Sequence, residues 1–183
     1  PSAEVSALMQ LFSLYLNNEV KKLHDDNVRL HFIGQRDRLK SSLQKKMVEA
    51  EQLTAANTGS HLVIAVDYGG QWDIVNATRE LAQRVAAGQL RPDQIDIELF
   101  DRHTALAALP KPDLLIRTAG EQRISNFLLW QCAYTEFYFT DVFWPDFGEL
   151  ETQRALQAFA QRERRFGGRD ESATIVAEAA GDA

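Results

Sequence analysis

Residues 113–147, DLLIRTAGEQRISNFLLWQCAYTEFYFTDVFWPDF, decide how the rest of this chain is read. The stretch opens on a short apolar strand, Asp113-Leu114-Leu115-Ile116, that delivers Arg117 to its carboxyl end. A loop with Gly120 follows, carrying Glu121, Arg123 and Ser125. Then comes an apolar, aromatic block in which Glu136 sits among Tyr134, Phe137, Tyr138 and Phe139. Two guanidiniums and a hydroxyl on one loop suit a ligand with several phosphate oxygens, because Arg forks bind such oxygens in pairs. Open α/β sheets hold ligands beyond the carboxyl ends of their strands, where this loop begins.

Outward from that block, strands alternate with helices. Val5, Leu8, Met9, Phe12, Leu16, Val20 and Leu23 recur at helical spacing over 2–24, and Asp25-Asp26-Asn27 ends the run. VRLHFIG, 28–34, reads as a strand with Val28, Leu30 and Phe32 on one face and Gly34 closing it. A charged helix is expected over 36–56, with Leu39, Leu43, Met47 and Leu53 as its apolar line. LVIAV, 62–66, is a continuous apolar run of the kind found in strands covered on both faces. Tyr68-Gly69-Gly70 then turns into a helix over 71–87. Asp93 is placed to cap a short helix ending near His103, and a last helix is expected over 146–165 with Leu150, Leu156 and Phe159 facing in. The class is α/β, with a mostly parallel central sheet and flanking helices. Residues 1–168 read as one domain and 169–183, rich in Asp, Glu and Ala, as a tail.

Bulk properties narrow the function. With 183 residues and 45% hydrophobic content, the chain can bury one sizeable core. A net charge of −6 argues against a general nucleic-acid binder and against simple attraction to anionic lipid. The single Cys132 cannot form an internal disulfide and reads as a buried free thiol, which fits a reducing cytoplasm.

Each candidate also has a plainer reading. Arg117 could pair with a surface carboxylate. Glu136 could lie on a wet strand face. If that face is covered, the carboxylate needs a cation, which magnesium bridging to a diphosphate would supply. Arg164-Arg165-Phe166-Gly167-Gly168 could be a helix end favoured by dipole and glycine cap, or a second small phosphate clamp. The Tyr68-Gly69-Gly70 turn lacks the spacing of a phosphate loop or a dinucleotide fingerprint and reads as a plain joint. His24, His31, His61 and His103 show no metal spacing.

The segment IRTAGEQRISNFLLWQCAYTEFYFTDVFWPDF resembles the C-terminal signature of the cis-prenyltransferases, in particular their bacterial undecaprenyl-diphosphate-forming members. EVSALMQLF, IGQRDRL, AVDYGGQWDIV and RERRFGG are similar to family segments in the family order, so the resemblance covers nearly the whole chain. It implies a homodimeric, Mg2+-dependent transferase that condenses isopentenyl diphosphate repeatedly onto farnesyl diphosphate with cis geometry. The product would be the lipid carrier of cell-wall glycans, with peripheral membrane contact through that product. Carried over by position, Arg117, Arg123 and Ser125 would hold isopentenyl diphosphate, with Ile124 contributing backbone. Glu136 would be the magnesium carboxylate, acting across the dimer interface. Arg165 and Gly167 would reach into the partner's diphosphate site.

The pattern departs from the family in three places. The Asp-Gly-Asn-Gly-Arg-Trp stretch with the catalytic aspartate belongs before residue 1, so the catalytic residue is not assigned and this chain alone is expected to lack it. Ala119 stands where Gly is usual, and Gln122 where His is common. The apolar residues Leu8, Met9, Phe12, Leu16, Val28, Leu30 and Phe32 could line a tunnel for the growing product or be ordinary core. Two other classes stay open: a non-catalytic subunit of the same fold, and an unrelated phosphate-binding α/β enzyme.

Overall fold

The computed structural model of the chain describes residues 2–162. The order is α1 (Ser2–Asp25), β1 (Arg29–Ile33), α2 (Ser41–Thr54), β2 (His61–Ala65), α3 (Gly70–Ala86), α4 (Ile97–Asp101), β3 (Leu114–Arg117), β4 (Glu136–Phe139) and α5 (Glu149–Ala160). The protein is α/β, and both strand pairs described are parallel, β1 with β2 and β3 with β4. They lie in two compact units. The first comprises residues up to 110 together with 126–128, and the second the remainder from 111. The expected tail and the Arg164–Gly168 element, with Arg165 and Gly167, lie outside the described residues.

In the first unit, Leu30 and Phe32 of β1 point to one side and meet Leu16 and Val20 of α1 and Leu43, Met47 and Ala50 of α2. Phe12 stands edge-on to Phe32, ring centres 5.9 Å apart. The period-2 pattern of β1 thus finds the two period-3.6 faces it needs. On the side of β1 away from β2, two amides would be left open. Side chains of α2 take them instead: Thr54 Oγ1 accepts from Leu30 N at 3.0 Å, and Glu51 Oε1 from Phe32 N at 2.9 Å. Gly34 ends β1 at φ +114°, where a Cβ would lie 2.0 Å from the Val66 carbonyl oxygen.

Several expectations need correction. The helix expected from residue 36 begins at Ser41, after a 3-10 turn at Arg36–Arg38. Glu51 explains the break: it grips Arg36 at 2.6 and 2.7 Å while Arg36 Nη2 also donates to the Phe32 carbonyl. Leu53 is exposed, and β2 is half-buried rather than covered on both faces. The short helix is capped by Asp96, whose Oδ1 accepts from Leu99 N at 2.7 Å. Asp93 is instead engaged by the Arg91 fork at 3.0 Å on each arm.

In the second unit, β3 and β4 pair in register Leu114↔Glu136 to Arg117↔Phe139. Thr135 Oγ1 donates to the Pro112 carbonyl at 2.7 Å, and Glu136 N to that of Asp113 at 3.0 Å, which fixes where β4 starts. Cys132 is buried and free, as expected. Helix α5 starts at Glu149 rather than 146 and buries Ala155. Leu150 and Leu156, expected inside, are exposed, and Phe159 is half-buried.

Candidate functional site

Arg117 is the last residue of β3, half-buried, at the strand's carboxyl end as expected. The chain beyond it is pinned to the extension of β4. Thr140 N donates to the Arg117 carbonyl, Gly120 N to that of Thr140, and Ala119 N to that of Val142, at 2.9 to 3.0 Å. Ala119 and Gly120 sit at φ +62° and +70°, and Ser125 at +48°. This left-handed geometry folds the segment into a tight loop. Ile124 is half-buried; Arg123 and Ser125 are exposed. Arg123 forms an ion pair with Glu121 two residues before it. Sequence reasoning missed this pairing, although the alternation of charge over 121–123 carried the signal.

The ladder keeps Glu136 and Arg117 apart. Glu136 opens β4 opposite Leu114, whereas Arg117 lies opposite Phe139. Three residues of strand amount to roughly 10 Å. One chain therefore does not bring the acid and Arg117 to the same end of this ladder. Glu136 is instead paired with Arg162, Nη1 to Oε2 at 2.6 Å. Arg162 is the first residue of the RERRFGG segment, and the sequence assigns it no role.

Glu136 fits one part of a magnesium site. Mg2+ typically takes one or two carboxylates and completes its shell with water and substrate phosphates. A half-buried carboxylate offers that kind of donor. Among the described residues, no group of three or more His, Cys, Asp or Glu side chains could hold a metal.

The first unit contains a cavity of about 590 Å³ whose lining includes Val5, Met9, Leu39, Leu43 and Val66. Arg38 and Asp67, also in its lining, are 3.3 Å apart. Of the residues put forward for a tunnel, Met9 lines it. Leu16, Leu30 and Phe32 are closed core, and Leu8 is exposed. His31 and His61, read as ordinary residues, stack with their rings 5.1 Å apart and Nε2 and Nδ1 at 2.9 Å. Burial, the neighbouring His61 and Arg29 together hold the His31 imidazole below its ordinary pKa.

Two solved structures resemble this parallel α/β arrangement of elements. The crystal structure of lavandulyl diphosphate synthase from Lavandula x intermedia, in complex with dimethylallyl diphosphate, is 45% identical. It matches with a TM-score of 0.88 over 91% of this chain and 72% of that one. A structure described as "a probable undecaprenyl diphosphate synthase" from Campylobacter jejuni matches at 0.79 with 32% identity, over 91% of this chain and 76% of the other. The fold is that of the cis-prenyltransferases. Within that class, the chain belongs to the family described as "Putative undecaprenyl diphosphate synthase", whose model matches residues 1–167.

Two relatives are named ditrans,polycis-undecaprenyl-diphosphate synthase ((2E,6E)-farnesyl-diphosphate specific). The one from Escherichia coli K12 is 58% identical over 168 residues, 92% of this chain and 66% of its own length. The one from Vibrio cholerae is 54% identical over 167 residues, 91% of this chain and 67% of its own length. The chain thus spans about two thirds of the length of these relatives.

Proposed function

We propose that the protein is a prenyltransferase that condenses isopentenyl diphosphate repeatedly onto farnesyl diphosphate with cis geometry, yielding undecaprenyl diphosphate for cell-wall synthesis. The observation that carries this reading is the loop after β3. Arg117 stands at the strand end, backbone bonds to 140–142 hold the turn at 119–120, and Arg123 and Ser125 follow on the same loop. Relatives more than half identical over nearly the whole chain are named undecaprenyl-diphosphate synthases, farnesyl-diphosphate specific, which supports this reading. In this reading Arg117, Arg123 and Ser125 bind the diphosphate of isopentenyl diphosphate, with the Ile124 backbone between them. Displacing Glu121 frees the Arg123 fork for the ligand.

The allylic C–O bond of farnesyl diphosphate breaks, and the leaving diphosphate keeps the electron pair. The isopentenyl double bond attacks the allylic carbon, a C–C bond forms, and a proton is lost. Holding the homoallylic diphosphate in place supplies proximity and orientation. Magnesium, when bound, screens negative charge on phosphate oxygens. Glu136 would serve as its carboxylate in a partner's site, which agrees with its place at the far end of the ladder from Arg117. Arg165 and Gly167 would extend toward the partner's diphosphate. Exposed Phe143, Trp144 and Leu150 in the second unit support a homodimer, since apolar surface of that kind seeks cover. Among the described residues no helix is long and apolar enough to cross a membrane, and we place membrane contact at the periphery, through the product, on a cytoplasmic protein.

The test is incorporation of radiolabelled isopentenyl diphosphate with farnesyl diphosphate and Mg2+ by the intact protein. Arg123→Ala is expected to raise KM for isopentenyl diphosphate and lower kcat, and Glu136→Ala to remove the dependence on magnesium. Kinetics unchanged in either variant would refute the assignment at that position.

A further inference from the structure

We infer that Asn126 is a positioning residue, which fixes the diphosphate loop by capping helix α3 from outside that helix. The inference rests on the proposed role of Arg123 and Ser125. Helix α3 begins after Gly69, which has no side chain to accept from the open amides of its first turn. Asn126 supplies two acceptors. Its carbonyl oxygen receives Gly70 N at 2.6 Å, and its Oδ1 receives Gln71 N at 2.9 Å. Acceptors of this chemistry satisfy amides that the helix leaves open.

The fit is close on both sides. A Cβ on Gly69 would lie 2.8 Å from Asn126 Nδ2. Asn126 itself sits at φ +63°, a conformation that Asn tolerates better than most residues. The next two residues add hold: the Phe127 ring meets Tyr68 edge-on at 5.8 Å, and Leu128 is buried. Tyr68 is steadied in turn by its hydroxyl, which donates to the buried Asp73 at 2.8 Å.

The Tyr68-Gly69-Gly70 turn therefore has a use beyond joining β2 to α3: it is the seat for residues 126–128. Ser125 is one peptide bond from that seat and Arg123 three residues away. What holds Asn126 fixes the exit of the loop that carries both side chains. Small misplacement of a binding group costs steeply where several donors must converge on one ligand.

The experiment is a double-mutant cycle on the Kd for isopentenyl diphosphate, with Asn126→Ala, Gly69→Ala and the double variant. Each single change is expected to weaken binding on the order of tenfold. The double variant is expected to bind no worse than Asn126→Ala, because the added Cβ then meets no amide group. Hydrogen exchange over 121–125 is expected to quicken in Gly69→Ala, a change a merely local loss of the cap would not produce. This second readout serves if Asn126→Ala folds poorly. Wild-type affinity in both single variants, or strictly additive losses, overturns the inference. Failure of the wild-type protein to bind isopentenyl diphosphate overturns the proposed function, and the inference with it.

Discussion

At the scale of single residues, the loop after β3 holds a cost that one substitution should remove. Ala119 adopts φ +62°, a left-handed conformation that Gly takes without strain. A left-handed residue with a Cβ costs roughly 1–2 kcal/mol, against roughly 0.5–1 kcal/mol for the extra freedom glycine brings to the unfolded chain. Ala119→Gly is therefore expected to raise the urea midpoint, and a lowered midpoint would contradict this reading of the loop. His31 gives a second residue-scale test. Its folded-state pKa lies below the ordinary value, through desolvation first and the neighbouring His61 and Arg29 next, with Glu51 opposing. The unfolded state therefore binds more protons just below pH about 6.5, so stability is lost as pH falls from there toward the lowered pKa. His31→Gln should flatten that part of a pH–stability curve measured by denaturant titration; an equal slope in the variant would assign the loss elsewhere. No spacing within either strand signals this pair, because it depends on the register of two adjacent strands. The candidate residues Arg117, Arg123 and Ser125, in contrast, stand close together in sequence at and after a strand end.

At the scale of elements, periodicity identified strands and helices but not which part of each face is covered. The apolar stripe of α1 is continuous in sequence, yet Leu16 and Val20 are buried while Val5 and Leu8 are exposed. In α5 the small Ala155 faces inward and Leu150 and Leu156 do not, a preference for close approach that hydrophobicity alone does not express. The start of α2 was misplaced because Glu51, fifteen residues on from Arg36, holds that arginine outside the helix. The same helix closes the open side of β1, and that claim is testable. Thr54 is fully buried and accepts from Leu30 N while donating to the Ala50 carbonyl. Thr54→Val keeps the shape but leaves the Leu30 amide without this acceptor, at a cost of about 1–3 kcal/mol. Chemical denaturation should show a loss in that range, and wild-type stability would mean that the amide finds another partner.

At the scale of the whole molecule, the family and the α/β class were legible because strand-end chemistry and element order survive in sequence. The separation of Glu136 from Arg117 was not, since it depends on the register Leu114↔Glu136. Under the proposed function, that separation leaves the loop after β3 as the part of the diphosphate site this chain would carry itself. The central claim is that this loop grips a diphosphate through two arginines. Calorimetric titration of isopentenyl diphosphate into the wild type, Arg117→Ala and Arg123→Ala tests it most directly. Each charged hydrogen-bond donor is worth about 1.5–3 kcal/mol, so each variant should bind at least about tenfold more weakly. Wild-type affinity in both variants would contradict the account.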